Sequence, residues 1–341
     1  MTGTASPARS TALTQRFPPR SCARPRWHWH PEHVISATRD LLERTILALV
    51  VAAALAGWAV PGTARLLDRH QAIDAVLALL VFASAMTVPA GVLSRVRALA
   101  ARLGIAVIAA AAALPALAFA LSRLLGPAAL RDGVLAVGVA PAEVASVAIT
   151  GIAGGEVGAA AVLLVASTLV CVAVAGPILS VVGGHGVSAV HVLITLSLVV
   201  GLPLLAGLLV KRLMTAAGRL DDGFQALAIV AVVVLVWLVS AQVRLSIAYG
   251  TLVAVLVVLI VASAAIGLLL SWRLESPAAT AVVLNVSMRD FAVASGIAAA
   301  AFGPAAAAPL GIYGVLVMAW GALVARMINR CRPVADGVTS A

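Results

Sequence analysis

The stretch PAATAVVLNVSMRDFAVASGIAAAAFG, residues 277 to 303, is long enough to cross a bilayer and carries Arg289 and Asp290 side by side near its middle. An Arg at the centre of a membrane helix costs roughly 2.5 to 3.5 kcal/mol on insertion scales, so such a charge faces a polar cavity or a partner. The rest of the chain makes the membrane setting plain. Of 341 residues, 63% are hydrophobic and 11% charged, and the mean hydropathy is +1.12. The 23 Lys and Arg with 13 Asp and Glu cannot clothe a soluble domain of this length. The composition specifies an all-α, polytopic membrane protein whose surroundings are the lipid bilayer.

Apolar runs between charged or Pro/Gly breaks give about ten crossings. They lie near 46–66, 73–91, 103–124, 132–153, 157–182, 189–210, 223–243, 250–272, 277–302 and 305–325. This divides the chain into a basic tail over 1–44, a transmembrane domain over 45–328 and a short C-terminal tail over 329–341. An even count puts both termini on one side. With both ends in the cytoplasm, Arg95, Arg97, Arg102, Lys211, Arg212, Arg219, Arg273, Arg326, Arg330 and Arg332 face inward, against Arg65, Arg69, Arg123, Arg131 and Arg244 outward, as the positive-inside rule requires. The arginine- and alanine-rich composition points to a GC-rich bacterium, and so to its cytoplasmic membrane.

The first 44 residues are Pro- and Arg-rich with little aliphatic content, and are expected to be disordered. They account for most of the net charge of +10, so that charge does not call for nucleic acid. His28, His30 and His33 cluster there without the fixed geometry of a metal site. No signal peptide is visible, since the first apolar stretch continues as a full span. Cys22, Cys171 and Cys331 are scattered and show no CxxC spacing, so they specify neither a disulfide framework nor a metal centre. No metal and no bound cofactor is expected.

Polar residues inside the spans are the informative minority. Span four reads VGVAPAEVASVAITGIAGGEVG over 137–158 and holds Pro141, Glu143, Ser146 and Thr150. Pro141 lacks a backbone donor and disfavours helix before it, which places a break beside Glu143. Span nine holds Asn285, Ser287, Arg289, Asp290 and Ser295, and its N-V-S-M-R-D run is the place for a second break. Backbone freed in this way is tolerated only against protein or a water-filled cavity. The two segments are the fourth of the first five spans and the fourth of the second five. Because five is odd, repeats over about 45–183 and 188–328 would have inverted topology, an architecture common in secondary transporters. Thr150-Gly151-Ile152-Ala153 also echoes Ser295-Gly296-Ile297-Ala298.

The segments PAEVASVAITGIAGGEVGAA and LNVSMRDFAVASGIAAAAFG resemble the two discontinuous helices of the bile acid:sodium symporter family, within the superfamily that includes arsenite efflux carriers. The basic turn after span two and Pro115 in span three are shorter points of likeness. The resemblance implies that discontinuous helices 4 and 9 cross near the midplane, between a panel and a core domain, and that the crossing carries ions and substrate. The family's sodium ligands are mostly absent. Ser146 matches its serine, but Val147 stands for its asparagine, Asn285 and Arg289 for its Glu and Gln, Ala110 for a Gln, and Ala160 and Leu164 for hydroxyls. A hard cation needs several oxygen ligands, so sodium coupling of the usual kind is not expected.

The guanidinium of Arg289 can stand in for that cation, neutralised by Asp290, Glu143 or both, with Glu143 the better placed because adjacent helix residues do not face each other. An anionic substrate would compete for it, with proton movement on a carboxylate as possible coupling. The reading is a secondary active transporter of a small organic anion working by alternating access, with Glu143, Ser146, Thr150, Asn285, Ser287, Arg289 and Asp290 as substrate- or ion-binding residues. The alternative within carriers is efflux of arsenite or another small oxyanion, against which stands the expectation that no cysteine lies near the site. From other classes, a transporter-derived sensor and an intramembrane enzyme remain. The latter lacks an evident nucleophile and base: His185 and His191 lie by the loop after span five, and Asp221 and Asp222 have no metal-ligand spacing. No GxxxxGK[ST] loop is present, so a gradient rather than ATP would supply the energy.

Overall fold

The computed structural model describes residues 48–68, 72–88, 99–183, 187–214, 221–241 and 248–331. The expectations for the N-terminal tail, including Cys22, His28, His30 and His33, and for Arg69, Arg95, Arg97, His185, Arg219, Arg244 and Arg332 lie outside the described residues, as do those for the side chains of Arg65, Asp221, Asp222 and Cys331.

The described chain is helical throughout, with α1 (Ala48–Ala59), α2 (Pro61–Asp68), α3 (Ala72–Met86), α4 (Ala100–Ser122), α5 (Ala128–Val139), α6 (Ala145–Ile152) and α7 (Val157–Val182) in its first half. Its second half holds α8 (Ala189–Leu213), α9 (Asp221–Ser240), α10 (Ala248–Ser271), α11 (Ser276–Ser287), α12 (Phe291–Phe302) and α13 (Ala308–Cys331). Among the described residues, six helices are long and apolar enough to cross a membrane unaided: α4, α7, α8, α9, α10 and the helical stretch over Pro304–Ile328. The protein is a multi-pass membrane protein.

The divisions have local causes, and those within spans four and nine fall where breaks were expected. Pro61 has no N–H to donate and starts a new helix, so the first expected span is two helices, α1 and α2. Spans four and nine are likewise divided, into α5 with α6 and α11 with α12. The last helix runs on to Cys331, past its expected end at 325. Pro115 and Pro177, by contrast, lie inside continuous helices.

Two packed groups surround the divided helices. In one, α8 and α9 pack along α3. Their approach is close enough that a Cβ on Gly207 of α8 would lie 2.6 Å from Ala85 Cβ and 2.8 Å from the Phe82 carbonyl oxygen. In the other, α4, α7 and α11 enclose an apolar cluster including Leu103, Ala110, Leu163 and Val282, and α10 packs along α11. Arg102, at the start of α4, donates to the carbonyl of Arg273 at 3.3 Å, which brings together two basic positions expected on one membrane face. Both second half-helices end on glycines with positive φ, Gly154 (63°) after α6 and Gly303 (91°) after α12. Other residues are strained there, so these glycines allow the sharp turns into α7 and toward α13.

Candidate functional site

The two breaks meet. Residues 140–144 and 288–290 leave their helices and run antiparallel, with Ala142 opposite Arg289. Glu143 N–H donates to the Met288 carbonyl at 2.8 Å, and Asp290 N–H donates to the Pro141 carbonyl at 2.9 Å. The backbone groups freed by each break are therefore satisfied by the other, as the interior of a membrane protein demands. The first break follows from Pro141. The second has no proline: Asp290 is an N-cap, its Oδ1 accepting from the N–H groups of Ala292 and Val293 at 2.9 Å each. A carboxylate that captures these donors starts a new helix instead of continuing the old one. Arg289 N–H, left without a helical partner, donates to the Tyr313 hydroxyl at 3.1 Å.

Charges are distributed over the half-helix ends. Arg289 Nη2 donates to the Ala140 carbonyl, the C-cap of α5, so the guanidinium sits at the partially negative end of that helix. Glu143 Oε2 accepts from Phe291 N–H at 3.3 Å. Together with Asp290 it covers the first three donors of α12, placing two carboxylates at the partially positive end. Arg289 makes no direct ion pair with either carboxylate, since each group is held by backbone at a different helix end, although the Arg289 and Asp290 charges still attract across the break.

All seven site residues named from sequence are buried. They are not equivalent. The Thr150 hydroxyl donates to the Ser146 carbonyl at 2.6 Å, as Ser295 does to Phe291 at 2.7 Å, so both are spent within their own helices. The Ser287 hydroxyl accepts from Trp320 Nε1 at 3.1 Å. Asn285 Nδ2 donates to the Ala281 carbonyl at 3.0 Å. Among the described residues, five buried side-chain polar atoms lack a hydrogen-bond partner, and four of them, Glu143 Oε1, Ser146 Oγ, Asn285 Oδ1 and Arg289 Nε, come from the two divided segments. Such atoms are costly to bury, and their concentration marks this place for a ligand, an ion or water.

Arg289 and Asp290 line different cavities. Arg289 and Asn285 share one, within the α4, α5, α7 and α11 group, with Ala110, Ser167 and Cys171. Asp290 lines the other, between α3 and α8 on one side and α6, α7 and α12 on the other, with Ser84, Val144, Thr168 and Leu204. The expectation that no cysteine lies near the site is therefore overturned: α7 crosses beside the break and brings Cys171 to the Arg289 cavity. Ser167 was also missed. Its hydroxyl accepts from Ala142 N–H at 3.1 Å and donates to the Leu164 carbonyl at 3.0 Å, tying α7 to the extended segment. Tyr313 and Trp320 were not foreseen either. They come from α13, and only the tertiary fold brings them here.

Glu156 precedes the first residue of α7 and is partly exposed, its backbone N–H donating to the Pro277 carbonyl at 2.9 Å, and Asp74 lies partly exposed in the first turn of α3. Neither reaches the crossing.

Comparison with known proteins adds one match. The sodium bile acid symporter family model aligns with residues 75–251, more than half of the chain, while no curated protein matches. The matched stretch includes the first divided segment and Cys171 but ends before Asn285, Arg289 and Asp290. The chain belongs to the sodium bile acid symporter family, whose members are transporters of bile acids and related organic anions.

Proposed function

We propose that the protein is a secondary active transporter of a small organic anion that uses the fixed charge of Arg289 where relatives use sodium. The observation that carries this is the Arg289 guanidinium itself. It is 6% exposed, joined to no carboxylate, held by one backbone carbonyl and facing a cavity with its Nε unpartnered. A permanent cation with a free donor is a ready anion site. Ala110, Ala160 and Leu164 are all buried, so positions expected to ligate sodium present hydrocarbon instead.

In this reading the chain crosses the membrane about ten times as two inverted five-helix repeats. Helices 4 and 9 are its discontinuous members, both termini lie in the cytoplasm of a bacterial cell, and the α3, α8, α9 group forms a panel against which the rest rocks. The division of α5 from α6 and of α11 from α12, at corresponding places in the two halves, supports it. Asn285 accompanies Arg289 in the anion site, while Glu143, Ser146, Thr150, Ser287 and Asp290 order the crossing around it. No cofactor takes part.

The test is uptake of labelled small carboxylates and sulfonates into proteoliposomes, with sodium gradients imposed or withheld. Uptake should be indifferent to sodium and fall roughly tenfold or more in Arg289→Ala, with Arg289→Lys retaining part of it. Sodium-stimulated uptake that survives Arg289→Ala would sink the reading. The presence of Cys171 in the Arg289 cavity favours one second reading, carriage of arsenite or a similar oxyanion, for which a thiol is a suitable soft ligand. Selective loss of arsenite movement in Cys171→Ser would favour it.

A further inference from the structure

The cavity shared by Arg289 and Asn285 holds one orphaned donor and one orphaned acceptor. Arg289 Nε has no hydrogen-bond partner, and neither has Asn285 Oδ1. Their residues are 6% and 3% exposed, so bulk water does not satisfy these atoms, and burying them bare is costly. The amide orientation is fixed, because Asn285 Nδ2 donates to the Ala281 carbonyl at 3.0 Å and leaves the oxygen as the unpaired end. The two residues stand four apart in sequence, about one helical turn, so a single small molecule can span them.

The rest of the lining is apolar or already engaged. Val107, Ala110, Leu163 and Val286 present hydrocarbon, and the Cys171 thiol is a weak acceptor. Ser167 accepts from Ala142 N–H and donates to the Leu164 carbonyl. Among the described residues, Arg289 is the one charged side chain on the cavity wall, so one carboxylate is balanced there and a second would be buried without a counterpart.

A ligand that satisfies both orphaned atoms accepts from Arg289 Nε and donates one hydrogen to Asn285 Oδ1. A plain carboxylate does the first and leaves the amide oxygen bare. An amino acid does both, but its ammonium brings three donors and a positive charge to a wall with one unpaired acceptor and no carboxylate. A hydroxyl brings one donor and no charge. We propose that the substrate is a short monocarboxylate with a hydroxyl close to the carboxylate, and that Asn285 selects it by accepting from that hydroxyl while Arg289 takes the carboxylate. The inference rests on the carrier reading above and narrows its substrate class. Discrimination follows from the amide oxygen: a site built to hydrogen-bond a substrate hydroxyl rejects the analogue that lacks it, because the buried acceptor is then left unpaired.

The experiment follows uptake of labelled lactate, 3-hydroxypropionate, propionate, 2-methoxypropionate and alanine into proteoliposomes, with protein-free liposomes subtracting passive entry of the uncharged acids. The ether keeps the substituent oxygen but loses its hydrogen, so it tells an accepting partner from a donating one. In wild type, kcat/KM for at least one of the two hydroxy acids should exceed that for propionate, the ether and alanine by about tenfold or more. Asn285→Leu removes the accepting oxygen at similar volume and should bring hydroxy acid and propionate to within about twofold of each other, whatever its absolute rate. Should that variant not fold, rejection of the ether by wild type carries the assignment, because Asn285 Oδ1 is the unpaired side-chain oxygen on the cavity wall. Equal handling of the hydroxy acids, propionate and the ether is the result expected if a resident water bridges the orphaned pair, and it would overturn the proposal. So would a preference for alanine, a preference that survives in Asn285→Leu, or transport of other anions with none of these acids, and each would leave the anion carrier standing. Movement of no anion by the wild type would overturn the carrier reading and this inference with it.

Discussion

Replacing Asp290 by Ala separates the observed break from a continuous helix by the sign of its effect. If residues 276–302 formed one straight helix, Asp to Ala in its interior would be favourable by up to about 0.7 kcal/mol, since Ala is the best helix former. In the structure Asp290 is the N-cap of α12, and its Oδ1 holds two donors at 2.9 Å. Removing such a cap costs about 0.5 to 2 kcal/mol, and losing the carboxylate from a partly positive helix end costs about 0.3 to 1 kcal/mol, more where the site is buried. Asp290→Ala should therefore destabilise by about 1 to 3 kcal/mol. Asp290→Asn keeps the accepting oxygen and loses only the charge, so it should cost under about 1 kcal/mol. The assay is unfolding in detergent, followed by the fluorescence of the protein's six tryptophans. The expected order of stability is wild type, then Asn, then Ala. An Ala variant as stable as the Asn variant, or more stable than wild type, would refute the cap and with it the account of why span nine breaks without a proline.

Three further substitutions test the supports of the crossing. Tyr313→Phe removes the acceptor of Arg289 N–H and leaves a buried donor unpaired, so it should cost about 1 to 3 kcal/mol in the same unfolding assay. A cost under about 0.5 kcal/mol would show that the hydroxyl does not hold the break. Ser167→Ala strips the partner of Ala142 N–H and should likewise lose about 1 to 3 kcal/mol, with Ser167→Thr recovering most of it. Gly207→Val puts side-chain atoms where even a Cβ lies 2.6 Å from Ala85 and 2.8 Å from the Phe82 carbonyl, so α8 must move off α3. It should lower stability while Gly104→Ala, at a position whose Cβ meets nothing within 4 Å, leaves it unchanged or higher.

How much of this was legible in the sequence depended on how local each cause is. Pro141 announces its break because a missing donor acts within one helical turn. Arg289 and Asp290 announce a site because charges in an apolar run need an explanation wherever the chain goes. The break at 288–290 was placed by polarity alone, although its cause was also local: Asp290 stands directly before the apolar run FAVASGIAAAAF, which is the pattern of an N-cap. Cys171, Ser167 and Tyr313 could not be placed beside Arg289 from sequence, since helix periodicity says which residues share a face but not which faces meet. Pro61 as the start of a separate helix has an equally local cause and was overlooked, because 46–66 was counted as one span across it.

The direct contacts of Arg289 were not legible for a different reason. Pairwise Coulomb reasoning looks for a carboxylate in contact with a buried arginine, here Glu143 across the crossing. A break in a membrane helix, however, creates two partial charges of its own, carbonyls at one end and N–H groups at the other, and these are fixed in place before any side chain chooses a rotamer. At this crossing the guanidinium goes to the carbonyl end of α5 and both carboxylates go to the amide end of α12. Opposite charges are kept apart although they are close in sequence and space. That separation bears on function: an arginine locked in a bidentate pair would have to lose its carboxylate before it could take a substrate, whereas one held by a single carbonyl still has Nε free. The amide end of α12, by contrast, is already filled by Glu143 and Asp290. On the proposed reading the guanidinium, rather than a helix N-terminus, is therefore where an anion would be received.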